Sequence, residues 1–155
     1  MNTFIALEAT AAAMALEEGH EFLLEEGPFR ELYSRLQNEI RTFSREHVLE
    51  KSVRKALYAK LPELRRWPIV TRIVEVVESA GVNWQRLWPG EPSLEPPLRQ
   101  AYARRSALAH SAVSSDWKPM VEDYNRVHAL TEQLIFAALG GKDEWQDISA
   151  YEHLR

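Results

Sequence analysis

The segment YARRSALAHSA, residues 102–112, sets Arg104 and Arg105 six and five positions before His110. Arginine's planar fork holds a phosphate and offsets charge that builds on it. Histidine titrates near neutral pH and can take and return a proton. Together they suit cleavage of RNA without a metal, in which a 2′-hydroxyl is activated against its neighbouring phosphorus. Spacing alone does not assemble such a site. Five residues on a regular helix place Arg105 and His110 about 140° apart around the axis. Convergence needs the helix to end or distort near Ala109, or a second copy to supply the partner. SAVSSD follows at once and favours an end near His110, and a twofold dimer would bring two such pairs to one composite cleft. The competing reading is an arginine pair and a histidine near a helix C-terminus, where the helix dipole favours positive side chains without any function.

Other chemistries lack their signatures. The chain has no Gly-rich phosphate loop before Lys-Ser or Lys-Thr, no Gly-x-Gly-x-x-Gly and no Gly-x-Ser-x-Gly turn. Of the remaining histidines, His20 and His47 sit beside glutamates on helix surfaces, His128 follows Tyr124 by four, and His153 lies near the C-terminus. None forms the four-apart helical zinc pair or joins a carboxylate cluster of ligand spacing, so neither a metal nor a cofactor is expected.

The elements that must position this segment read as helices. A length of 155 residues suits one domain, residues 1–155, with residues 142–155 a polar tail anchored by Trp145. Cysteine is absent, the start lacks the basic run of a signal peptide, and no window reaches a membrane span. These features point to a cytoplasmic protein. A net charge of −4 argues against sequence-blind binding of nucleic acid. The charge is nonetheless uneven. Residues 1–27 hold six glutamates and no lysine or arginine, whereas residues 28–72 hold eleven basic side chains against five acidic ones. Solvated helix faces that pair the acidic first helix with basic neighbours would account for this, and so would a basic surface, Arg41 and Arg45 included, that meets nucleic acid or an acidic partner.

The alanine-rich start predicts a helix from Thr3 to about Leu24, with Thr3 as cap. Gly27-Pro28 breaks it. Phe29, Leu32, Tyr33, Leu36, Ile40 and Phe43 then recur at helical spacing. Ser44 could cap a third helix carrying Val48, Leu49, Val53, Leu57 and Leu61, or residues 28–61 could be one bent helix. The β-branched run from Ile69 to Val77 suggests a strand, but Ile69, Ile73, Val76 and Val77 share a helical face, Gly81 supplies a stop, and a lone strand would leave its backbone unpaired. Residues 82–97 form a proline- and tryptophan-rich loop, in which Trp84 and Trp88 either anchor the loop or offer stacking surfaces. The helix bearing the Arg/His segment begins near Pro97, with Leu98, Ala101, Tyr102 and Leu108 facing inward. Ser115 or Asp116 caps a last helix to about Leu139, whose core candidates are Met120, Val121, Tyr124, Val127, Leu130, Leu134, Ile135 and Ala138. The fold class is therefore all-α, an up-and-down bundle of about five helices with that loop before the motif helix.

LRQAYARRSALAHSA, a short polar turn and a long helix ending LIFAALGG resemble the C-terminal half of HEPN (higher eukaryotes and prokaryotes nucleotide-binding) domains. With helical order included, the resemblance spans roughly residues 40–141. It implies a helical bundle that dimerises through its motif helices and cuts RNA without a metal. Arg105 would contact the phosphate and His110 act as base or acid, with Arg104 and Ser106 as supporting phosphate-binding residues. Ser106 and Ser111 depart from the polar residue and the glycine common at those places. The implied partners are RNA, a second copy and an inhibitory protein, as for a toxin or defence effector. Some members of the superfamily are inactive binding or scaffold modules, so the alternative is a helical interaction module for a protein or nucleic-acid partner.

Overall fold

A computed structural model describes residues 3–17, 19, 22–111 and 117–141, with residues 109–111 described by backbone alone. Among these the chain is all-α, with six α-helices and no strand. No described helix is long and apolar enough to cross a membrane. The residues fall into two compact units, one of residues 1–17 and 69–155, the other of residues 18–68.

The first unit is built on α1 (Thr3–Glu17), α4 (Ile69–Ser79), α5 (Glu95–Ser111) and α6 (Lys118–Ala138). α1 packs against α4 and α6, and α5 also touches both of those helices. Phe4, Leu7, Ala11 and Ala15 recur every three or four residues along α1 and are buried. The alanines let neighbouring backbones approach closely, and they are strong helix formers. α4 is helical despite its β-branched residues, because Val70, Ile73, Val76 and Val77 form one buried face. Packing along that face outweighs their propensity. Gly81 at φ +66° ends the run, and Val82 N–H donates back to the Val77 carbonyl at 3.1 Å. In the loop that follows, Trp84 and Trp88 join this core with Leu94, so the tryptophans anchor the loop.

α5 begins two residues before Pro97; prolines in a first turn cost nothing, since their missing N–H has no helical partner. Leu98 and Ala101 are buried as expected, whereas Tyr102 and Leu108 are only half-buried. On α6, Val127, Leu130 and Leu134 form the core. Val121, Tyr124, Ile135 and Ala138 are exposed and do not. Their places on the inner face go to Asp123 and Thr131. The expected caps Ser115 and Asp116, and the tail with Trp145, lie outside the described residues.

In the second unit, residues 28–61 form two helices, α2 (Glu26–Glu46) and α3 (Lys51–Lys60), followed by a 3-10 turn over Leu61–Arg65. α1 stops at Glu17 instead of Leu24, and α2 already includes Gly27 and Pro28 in its first turn. Ser44 does not cap α3; it is buried inside α2. The corner between the helices instead turns at Val48, at φ +50° and 85% exposed. Arg65 closes the other end. Its guanidinium lies 3.8 Å from the Phe22 ring centroid and 2.7 Å from Glu26, while Leu23 N–H donates to the Arg65 carbonyl at 2.8 Å. Beyond Ser44 and Leu61, the described residues of this unit are half-buried or exposed.

Candidate functional site

The two adjacent arginines of α5 point to different partners. Successive helical residues sit about 100° apart, so neighbours cannot share a face. Arg104 meets α6, where its Nε and Nη2 donate to the two carboxylate oxygens of Asp123 at 2.5 and 2.7 Å. The side chain of Asp123 is 3% exposed. This is the bidentate fork-to-carboxylate geometry, the strongest form of the pair. Hydrogen bonding to Asp123 keeps Arg104 even more firmly protonated than a free arginine. The guanidinium is thus committed to holding α5 on α6.

Arg105 meets α1 with a lighter hold. Its Nη1 donates to Glu8 Oε1 at 3.0 Å, and its guanidinium lies 5.2 Å from the Phe4 ring centroid and 6.0 Å from that of Tyr102. Phe4 and Tyr102 meet edge to face at 5.0 Å. One-third of the Arg105 side chain remains exposed. A single ion pair leaves several of its five N–H donors unspent. The structure thereby separates the two arginines that sequence spacing left equivalent.

Two further groups complete this corner. The Tyr102 hydroxyl is buried without a hydrogen-bond partner, and so is Nε of Arg72 on α4. Burial, then the adjoining Glu8 carboxylate, pushes the Tyr102 phenol far above its ordinary value, while the charges of Arg105 and Arg72 pull it back. Glu8, Tyr102 and Arg105 therefore form one polar cluster where α1 and α5 meet, within reach of the charge of Arg72 on α4. With Arg72 counted, its charged side chains are two cations and one anion.

Ser106 is exposed on α5. The backbone of α5 stays helical through His110 to Ser111. The positions of Arg105 and His110 therefore keep the separation of about 140° around the axis that a regular helix imposes. The His110 side chain lies outside the described residues. His20 and His153 also lie outside them. His47 is exposed, its ring centroid 4.2 Å from that of Phe43, and His128 lies 3.5 Å from Glu132. Among the described residues no three metal-ligating side chains gather.

Asp123, Glu8 and Arg72 lie outside the Arg/His motif and are brought to it by the fold. Asp123 had a signal: it stands three residues after Met120 and four before Val127, on the inner stripe of α6. A carboxylate in that register must be neutralised by a buried cation. Glu8 and Arg72 lie on the flanks of their stripes and carry no comparable mark. In the second unit, an open cavity of about 320 Å³ is lined by Phe22, Phe29, Pro62, Glu63, Arg65 and Arg66. Arg65 already pairs with Glu26 there.

Of the eleven basic side chains in residues 28–72, four are seen in ion pairs among the described residues of this unit, Arg65 with Glu26 among them. Arg30 pairs with Glu26, Arg35 with Glu31, and Lys60 with Glu63. Such exposed pairs contribute little. Comparison with family models, with curated proteins and with solved structures finds no match for the chain.

Proposed function

We propose that the chain is a metal-independent endoribonuclease of the HEPN kind, working as a homodimer through α5. The observation that carries this reading is the difference in how the two arginines are held: at equal exposure, Arg104 gives two hydrogen bonds to the buried Asp123, whereas Arg105 gives one to the part-exposed Glu8. In the proposed mechanism Arg105 binds the scissile phosphate and Ser106 offers a further donor. Neutral His110, supplied across the dimer, removes the 2′-hydroxyl proton. The 2′-oxygen attacks phosphorus and the P–O5′ bond breaks. The leaving oxygen takes up a proton, giving a 2′,3′-cyclic phosphate and a 5′-hydroxyl. The regular course of α5 through His110 makes the second copy necessary to this scheme.

Purified protein incubated with RNA in excess chelator should release 2′,3′-cyclic phosphate ends. His110→Ala should lower the rate by at least about a hundredfold, the usual contribution of a positioned proton-transfer group. Cleavage unaffected by that substitution would sink the mechanism.

A second reading, an interaction module, is favoured by α2 and α3. Leu32, Phe43, Val53 and Leu57 of these helices are all more than one-third exposed. An apolar stripe left open this way suits a protein partner, including one that restrains a toxin or defence effector. Protein that never cleaves RNA, and remains monomeric in light scattering at micromolar concentration, would favour this module.

A further inference from the structure

We propose that Glu8, Arg72, Tyr102 and Arg105 form a latched phosphate-binding pocket, in which Glu8 holds Arg105 until a phosphate group takes its place. The proposal rests on the reading of Arg105 as a phosphate-contacting residue, and adds to it Arg72, Tyr102 and a carboxylate that competes with the ligand.

Donors and acceptors in the cluster do not balance. Arg105 has five N–H groups and gives one to Glu8, the single carboxylate here, while the Arg72 Nε and the Tyr102 hydroxyl are further donors. The Arg72 Nε and the Tyr102 oxygen are both buried without partners. An unsatisfied buried donor is costly, so an oxyanion that accepts from both recovers that cost. The charge points the same way. Two guanidinium groups against one carboxylate leave one positive charge, which a phosphate group would neutralise. The Tyr102 phenol remains protonated in this setting, so it can donate to an anion. Access comes from the Arg105 side, where one-third of the side chain is exposed and Glu8 is about one-quarter exposed. The Phe4 and Tyr102 rings, 5.2 and 6.0 Å from the guanidinium, remain beside Arg105 when Glu8 is displaced.

The test is calorimetric titration of the full chain with three probes: orthophosphate, adenosine 5′-monophosphate, and a short RNA without terminal phosphates. Arg72→Gln and Arg105→Gln should each weaken binding by at least about tenfold, the lower range for a charge-assisted hydrogen bond. Glu8→Gln should tighten it by about tenfold, since a competing carboxylate is lost. Response to the RNA alone assigns the site to an internal phosphodiester; response to the smaller probes assigns it to a free or terminal phosphate. Unchanged affinity in folded Arg72→Gln, no tightening in Glu8→Gln, or no binding of any probe overturns the pocket. If Arg72→Gln fails to fold by circular dichroism, Glu8→Gln decides alone. A nuclease assay on the unaltered chain separates the two claims. No cleavage beside Glu8-sensitive binding removes the nuclease and spares the pocket. Cleavage beside binding that ignores Arg72 does the reverse.

Discussion

Arg104 and Arg105 show how one backbone step changes the fate of a side chain. Arg104 neutralises a carboxylate that is almost fully buried. Arg104→Ala should therefore cost about 3 kcal/mol, because the remaining charge loses its partner inside the protein. Asp123→Ala in the same background should restore part of that loss. A double-mutant cycle by urea unfolding measures the coupling, and additive losses would show the pair to be incidental. Tyr102 gives a second prediction. Burial, reinforced by Glu8, lifts its phenol in the folded chain, while the unfolded chain ionises near the ordinary value of 10.0. A raised native value means that the stability is fully present below the unfolded value of 10.0. Above it the unfolded state gives up its proton first, and stability falls as pH rises. Unfolding curves between about pH 9 and pH 11 should show this fall, and Tyr102→Phe should flatten it.

At the scale of the element, two positions report on different forces. Leu98 is completely buried on α5, and Leu98→Ala should destabilise by about 3 kcal/mol through lost transfer energy and the cavity left behind. Val48 turns the α2–α3 corner in the left-handed region, where a β-branched side chain is strained. Val48→Gly should accordingly stabilise the chain by about 1 kcal/mol, read as a higher unfolding midpoint, since almost no packing is lost. The helices themselves were legible in the sequence. Ile69 to Val77 reads as a helix from its shared face, and Gly81 marks its end. Trp84 and Trp88 announce an anchored loop. The Arg/His segment stood out by residue type, but its surroundings did not, because the partners of Arg104 and Arg105 lie 19 and 97 residues away. Asp123 carried a local mark in its inward register on α6, but which acid each arginine meets is chosen by tertiary packing. The same limit misassigned Tyr124, which shares the apolar register of α6 and yet stands 44% exposed while Asp123 turns inward.

At the scale of the whole molecule, the two units differ in how much they bury. The unit of α1, α4, α5 and α6 contains nearly all the buried apolar side chains, while the described residues of 18–68 contain Leu61 alone among them. Local opening follows burial. Amides in α2 and α3 should therefore exchange with solvent faster than those in the middle of α1, α4 and α6; equal protection in mass spectrometry would refute this. The Arg104–Asp123 clamp has a consequence of another kind. It joins α5 to α6 by side chains, independently of the residues that connect them along the chain. It also sets the rotation of α5 about its own axis: with Arg104 held on α6, the next residue, about 100° further round, is turned towards α1, so the clamp on one arginine aims the other.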